Sequence, residues 1–232
     1  MRILLIIPAF NESKNIAKLL DEIISLKLGI DALVINDASR DNTSELAKLH
    51  GAIVIDLPVN LGIGGAVQTG YLYALKNNYD VAIQVDGDGQ HNPEFIPQLL
   101  ESIKRGEADM VIGSRFIDYS GFQSSKARRM GIGFLQKLIY FVAGAKITDP
   151  TSGFRACNKK IISIFSRYYP YDYPEPESIV YVLRHKCIVK EIPVIMRERI
   201  GGESSIRPIH AFYYMLKISI AIVFDKIKKN QA

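Results

Sequence analysis

Residues 80–91 read DVAIQVDGDGQH. An apolar run at 80–85, too short for a helix, breaks into Asp86-Gly87-Asp88-Gly89-Gln90-His91. The run predicts a buried strand, and the polar break predicts a chemically active loop at its carboxyl end. The same alternation holds on both sides of it. Apolar, β-branched runs lie at 2–7, 32–36, 52–56 and 109–113, with helical patterns near 13–28, 42–50, 64–77 and 93–105. Ser13 and Asn42 stand where N-caps belong, and Pro93 suits a first helical turn. Strands alternating with helices predict an α/β fold with a mostly parallel central sheet flanked by helices.

In such sheets ligands bind beyond the carboxyl ends of the strands. Those positions here carry Pro8-Ala9-Phe10-Asn11-Glu12, Asn36-Asp37-Ala38-Ser39-Arg40-Asp41, Asn60-Leu61-Gly62-Ile63-Gly64-Gly65, the Asp86–His91 loop and Gly113-Ser114-Arg115. Asp86 and Asp88, two residues apart, can share one hard divalent ion, and Gln90 offers a further oxygen. Gly87 and Gly89 permit the tight backbone this needs. A solvated acidic turn is the plainer reading. An EF-hand is excluded, because no acidic residue stands at the twelfth position from Asp86. Asp37 is placed to meet a ribose hydroxyl or a base. The first turn lacks GxGxxG, which disfavours a dinucleotide fold. The glycines at 62, 64 and 65 either cradle a diphosphate or simply form a tight turn.

Beyond residue 115 the pattern changes. Helices are expected at 126–143 and near 176–186, and a strand at 187–196. Ile209 to Phe224 is apolar and aromatic but contains His210 and Lys217, short of the roughly 20 clean apolar residues that span a bilayer. It reads as an amphipathic helix, lying on a membrane, serving a homo-oligomer contact or packed on the core. The opening MRILLIIPAF has too short an apolar run for a signal peptide and reads as a buried strand.

The chain has 232 residues, 48% hydrophobic and 23% charged, ordinary values for a folded protein. Cys157 and Cys187 have neither CxxC spacing nor histidines at ligand spacing, and read as buried, reduced side chains. Residues 1–114 carry 9 basic against 15 acidic side chains, and residues 115–232 carry 20 against 9. An acidic half suits a cation and a basic half suits an anionic partner. Nucleic acid is not that partner, since basic and aromatic residues are not interleaved.

Together these motifs resemble family 2 glycosyltransferases of the GT-A fold. Gly113-Ser114-Arg115 and Ser152-Gly153-Phe154-Arg155 resemble the dolichol- or polyprenyl-phosphate sugar transferase branch. The resemblance runs from Ile3 to about Ile206. It implies a catalytic domain over 1–206, with a nucleotide-sugar and metal half at 1–114 and an acceptor half at 115–206. Residues 207–232 are then an amphipathic helix with a basic tail. It also implies that Pro8, Phe10, Glu12, Asp37 and Gly64 line the nucleotide-sugar site, and that Asp86, Asp88 and Gln90 bind Mg²⁺ or Mn²⁺ against the donor diphosphate. Arg199 would close over that diphosphate. Arg115 with Arg128 or Arg129 would bind the acceptor phosphate. Asp149 would act as base or position the acceptor, with Glu175 and Glu177 as further carboxylates.

A helix N-terminus alone also explains Glu175 and Glu177. The branch often carries a serine near the second arginine, where this chain reads Arg129-Met130-Gly131-Ile132. The expected activity is inverting transfer of a hexose from a UDP- or GDP-sugar to a polyprenyl phosphate, by a protein peripheral to the inner face of the cell membrane. Alternatives are extension of a lipid-linked or cell-wall saccharide, a nucleotidyltransferase, or a nucleotide-sugar binding module without catalysis.

Overall fold

A computed structural model describes residues 1–118, 121, 126–172 and 174–198, with side chains omitted for 126–128. Seven strands form one sheet: β1 (Ile3–Ala9), β2 (Asp31–Asn36), β3 (Ile53–Asp56), β4 (Val81–Gln84), β5 (Met110–Ser114), β6 (Arg155–Asn158) and β7 (Val189–Pro193). Their spatial order is β3-β2-β1-β4-β6-β5-β7. Every pairing is parallel except those of β6, which runs antiparallel to both β4 and β5.

The helices are α1 (Ile16–Ser25), α2 (Thr43–Leu49), α3 (Gly62–Lys76), α4 (Ile96–Lys104), α5 (Lys126–Ala143), α6 (Lys159–Arg167) and α7 (Pro174–Arg184). Alternate residues of a strand face opposite sides of the sheet, and β1 shows the result. Leu4 and Ile6 join one core with Tyr71 and Phe165, while Leu5 and Ile7 join the other with Leu19 and Leu99. All seven residues of β1 are buried, as expected of a strand covered on both faces. On α1 the buried residues are Ile16, Leu19, Leu20 and Ile23, a stripe at helical spacing.

One local expectation is corrected, and two details are added. Ser13 is not the N-cap of α1; Asn15 is, and the Ser13 N–H donates instead to Asp41 Oδ2 at 3.1 Å. Asn42 stands at the N-cap of α2 as expected, without a side-chain cap bond, and the Thr43 N–H donates to Asp41 Oδ1 at 3.1 Å. Residues 155–167 form a strand and a helix that the apolar pattern does not announce. Asn158 starts that helix, its Oδ1 accepting from the Ile161 N–H at 3.1 Å. Pro93 opens a 3₁₀ turn at Pro93–Phe95, capped by Asn92 and leading into α4. Cys157 and Cys187 are free and buried, as expected. The segment at 207–232 lies outside the described residues. No described helix is long and apolar enough to cross a membrane.

Candidate active site

The parallel strands bring their carboxyl-terminal loops to one edge of the sheet. The loops after β1 and β2 are stitched together. The Asn11 N–H donates to Ser39 Oγ at 2.9 Å, the Arg40 N–H to Asn11 Oδ1 at 2.8 Å, and the Glu12 N–H to Thr43 Oγ1 at 2.9 Å. Asn11 and Ala38 adopt φ of 55° and 58°. For alanine that left-handed backbone is strained, a condition found chiefly where a site demands a loop shape.

Asp37 is buried. Its Oδ1 accepts from the Leu61 N–H at 2.6 Å and its Oδ2 from the Gly62 N–H at 2.9 Å. Burial pushes this carboxyl upward, and the two N–H donors oppose that. Asp37 therefore ties the loop after β2 to the start of α3. Glu12 is buried too, with its Oε2 accepting from Asn15 Nδ2 at 2.7 Å. Phe10 stands nearly half exposed at the end of β1. Gly64 faces backbone: a Cβ there would lie 2.2 Å from the carbonyl oxygens of Pro170 and Tyr171. The missing side chain lets the start of α3 lie close against the 170–171 backbone.

Asp86, Asp88 and Gln90 share the loop after β4, all part-exposed. Asp88 Oδ1 accepts from the Gln90 N–H at 3.0 Å. Gln90 Nε2 donates to the Arg197 carbonyl at 3.4 Å, and the Arg197 N–H returns to the Gln90 carbonyl at 2.9 Å. Arg197 is itself held by Glu22 at 2.5 Å and by Asn92 at 2.8 Å. The loop is thus strapped to the chain just before Arg199, which lies outside the described residues. Asp86 and Asp88 join no cluster of three or more His, Cys, Asp or Glu among the described residues. Two carboxylates with an amide oxygen nearby fit a Mg²⁺ or Mn²⁺ ion that completes its shell with phosphate and water, as such ions commonly do. They do not fit an all-protein cage.

At the end of β5 the structure joins two residues assigned separate roles. Arg115 Nε donates to Asp149 Oδ2 at 2.7 Å and Nη2 donates to Asp149 Oδ1 at 2.8 Å, a bidentate pair. The Arg115 N–H and the Thr151 hydroxyl also donate to Asp149. Glu191 receives the Thr148 and Asp149 N–H groups at 2.7 and 2.8 Å, and burial pushes its carboxyl upward against those two donors. Asp149 is wholly buried. Its oxygens already accept from the protein's own donors, Arg115 foremost among them.

Arg129 is exposed on α5, and the Arg128 side chain lies outside the described residues. Glu175 and Glu177 stand in the first turn of α7, where Glu177 Oε1 accepts from the Tyr168 hydroxyl at 2.8 Å. Burial pushes the Tyr169 phenol upward; Arg155 opposes this, and the charges of Glu175 and Asp86 add to it. Tyr169 therefore stands within electrostatic reach of both carboxylates.

The family profile for Glycosyl transferase family 2 matches residues 4–165. The chain belongs to this family. Among its relatives, this glycosyltransferase is 31% identical over 216 residues to the undecaprenyl-phosphate mannosyltransferase of Micrococcus luteus, spanning 88% of this chain and 87% of that one. It is 26% identical over 250 residues to the UDP-N-acetylglucosamine–dolichyl-phosphate N-acetylglucosaminyltransferase of Methanococcus voltae, spanning 96% and 98% of the two chains. Its fold superimposes on glucosyl-3-phosphoglycerate synthase from Mycobacterium tuberculosis, solved with Mn²⁺, UDP and glucosyl-3-phosphoglycerate. The TM-score is 0.71 at 19% identity, covering 97% of this chain and 79% of that one. The likeness establishes the GT-A fold.

Motif reading of this glycosyltransferase passes over the residues behind the loops. Arg155 is fully buried. Its Nε donates to the Ser152 carbonyl at 2.8 Å and its Nη1 to Ser178 Oγ at 2.7 Å, while Nη2 finds no hydrogen-bond partner among the described residues. It ties the 152–154 turn to α7. Gln84, His91 and Tyr169 also stand behind the loop after β4. The visible signal for Gln84 was a polar residue interrupting an apolar run.

Proposed function

We propose that this glycosyltransferase moves a hexose, with inversion, from a nucleoside-diphosphate donor to a polyprenyl phosphate at a membrane surface. The observation that carries this reading is the pairing of two elements at one sheet edge: the part-exposed Asp86 and Asp88, and the Arg115 guanidinium held rigidly by Asp149. The names of the Micrococcus and Methanococcus relatives support the acceptor class.

Pro8, Phe10, Glu12 and Asp37 would form the nucleotide end, with the exposed Phe10 ring offering a surface to the base. Asp86, Asp88 and the Gln90 side-chain oxygen would hold Mg²⁺ or Mn²⁺ beside the diphosphate. That ion would stabilise charge growing on the leaving phosphate. Arg115, with Arg128 and Arg129 nearby in sequence, would bind the acceptor phosphate. A phosphate oxygen is already anionic at neutral pH, so the attack needs no strong base. That suits a site whose most buried carboxylate, Asp149, is locked to an arginine.

The deciding experiment is transfer from a panel of labelled UDP- and GDP-sugars to undecaprenyl phosphate, with Mn²⁺ or Mg²⁺ and again with EDTA. A glycolipid formed only with metal is expected. Donor binding without product on any lipid phosphate would overturn the acceptor assignment and turn attention to Glu175 in a saccharide transferase.

The outer face of α5 supports the membrane surface. Ile132, Leu135 and Ile139 point into the core, whereas Met130, Phe134 and Tyr140 are 76%, 49% and 63% exposed. Arg129 and Lys137 are exposed on the same helix, which contains no acidic residue. Apolar and aromatic side chains edged by cations match an anionic lipid interface. Met130→Ser with Phe134→Ser is expected to lower partition into phosphatidylglycerol vesicles at least about tenfold, since each buried side chain contributes roughly 1.5–3 kcal/mol. Transfer to a short, water-soluble prenyl phosphate should stay within about twofold of wild type, by the same area argument. Unchanged sedimentation with vesicles would remove α5 from the interface.

A further inference from the structure

Gln84 is the last residue of β4, two before Asp86, and no part of it reaches solvent. Its strand neighbours Val81, Ala82 and Ile83 are apolar. An amide buried in such surroundings costs roughly 1–3 kcal/mol unless both ends are hydrogen-bonded. Here both are. Gln84 Nε2 donates to Asp86 Oδ1 at 3.2 Å, and the Tyr169 hydroxyl donates to Gln84 Oε1 at 3.4 Å. The phenol fixes which end of the amide faces Asp86.

The His91 ring stands beside the other carboxylate oxygen. His91 Nδ1 accepts from the Asp86 N–H at 3.0 Å, which leaves the ring proton on Nε2, 3.6 Å from Asp86 Oδ2. The buried ring is held by stacking on Phe154, centroids 5.0 Å apart and planes 11° apart. Gly153 closes over the arrangement. A Cβ there would lie 2.9 Å from Gln84 Nε2 and 3.1 Å from Asp86 Oδ2, so the turn can lie on the pair only without a side chain.

We propose that Gln84, anchored by Tyr169, is a positioning residue that presents the Asp86 carboxylate to the divalent ion in one orientation. The inference rests on the metal reading of Asp86 and Asp88. A carboxylate at a strand end can rotate among several orientations. The Gln84 N–H on one oxygen, with the His91 ring packed beside the other, favours one before the ion arrives, so less ordering is left for the binding step. Partners of this kind behind a ligand typically carry about 10–100-fold in metal affinity. Arg155, the cross-strand neighbour of Gln84 through Gln84↔Arg155 pairing, holds the Ser152 end of the covering turn.

The test is Mn²⁺ binding to the whole chain, followed by electron paramagnetic resonance in the presence of UDP and, in parallel, GDP. Wild type is compared with Gln84→Met, which keeps the volume and removes the amide, and with Tyr169→Phe, which keeps the amide and removes its anchor. Gln84→Met is expected to weaken Mn²⁺ about 10–100-fold. Tyr169→Phe should act in the same direction and less, and kcat at saturating Mn²⁺ should fall only a few-fold. A merely structural Gln84 would instead lower the metal-free melting temperature and kcat while leaving the Mn²⁺ constant in place, and that result overturns the proposal. Should Gln84→Met fail to fold, an unchanged Mn²⁺ constant in Tyr169→Phe overturns it equally. If wild type binds no Mn²⁺, or binds it as well after Asp88→Ala, the metal reading itself falls, a different failure with its own signature.

Discussion

Asp88→Asn is expected to reduce kcat at least about a hundredfold and up to a thousandfold, the range seen when one electrostatic stabiliser of a developing charge is lost. The substitution is nearly isosteric. An asparagine oxygen can still accept the Gln90 N–H that Asp88 Oδ1 now accepts at 3.0 Å, so the loop keeps its shape. What is lost is one negative charge at a part-exposed position, facing where a divalent ion would sit. Melting temperature should therefore stay near that of wild type while turnover collapses. Raising Mn²⁺ should recover part of the loss, because a weakened site still fills at higher concentration. A variant that retains turnover within tenfold at low Mn²⁺ would mean that Asp88 holds no ion.

Asp149→Ala should act on stability before it acts on chemistry. The carboxylate is wholly buried and receives Arg115 through two guanidinium nitrogens, besides the Arg115 N–H and the Thr151 hydroxyl. Removing one partner of a buried pair leaves the other charge uncompensated, which costs about 3–5 kcal/mol. For a chain of this size each kcal/mol moves the melting midpoint by about 2–4 °C, so a fall of roughly 6–20 °C is expected. Asp149→Asn should lie between alanine and wild type, since the amide retains acceptor capacity but not charge. Thermal melting decides the matter. Midpoints within about 3 °C of wild type for Asp149→Ala would show that the pair contributes less than about 1 kcal/mol. A proton-accepting role would reverse the pattern, with stability kept and turnover lost.

How far the sequence alone reaches depends on whether the signal is local. The apolar runs at 2–7 and 80–85 and the loops that follow them are local, and they lie close to β1, β4 and the edge where Asp86 and Asp88 stand. Strand β6 was hidden because its four residues, Arg155 to Asn158, begin and end with polar side chains that the fold buries or uses as caps. Partnership over distance was equally hidden. Nothing near Arg115 announces Asp149, 34 positions away in the chain, so the ion pair that joins two residues given separate roles was not legible. The N-cap of α1 shifted for a similar reason: the Asp41 carboxylate, from the loop after β2, engages the Ser13 N–H. By contrast Gln84 was within reach, since an amide amid Val81, Ala82, Ile83 and Val85 has to answer for its burial.

The antiparallel β6 also dictates the order in which this protein can be made. Strand β4 borders β1 on one side and β6 on the other, while β5, which leaves the ribosome earlier than β6, pairs with β6 and β7 among the described residues. A nascent chain that has emerged through Ser114 can assemble β1 to β4, but its fourth strand is then an open margin and its fifth has no neighbour to dock on. The margin closes only when residues 155–158 arrive, and the same few residues bring Arg155 and complete the turn lying on Asp86. The seven-stranded order therefore cannot be completed until residues 155–158 have emerged, and with them the turn that lies on Asp86.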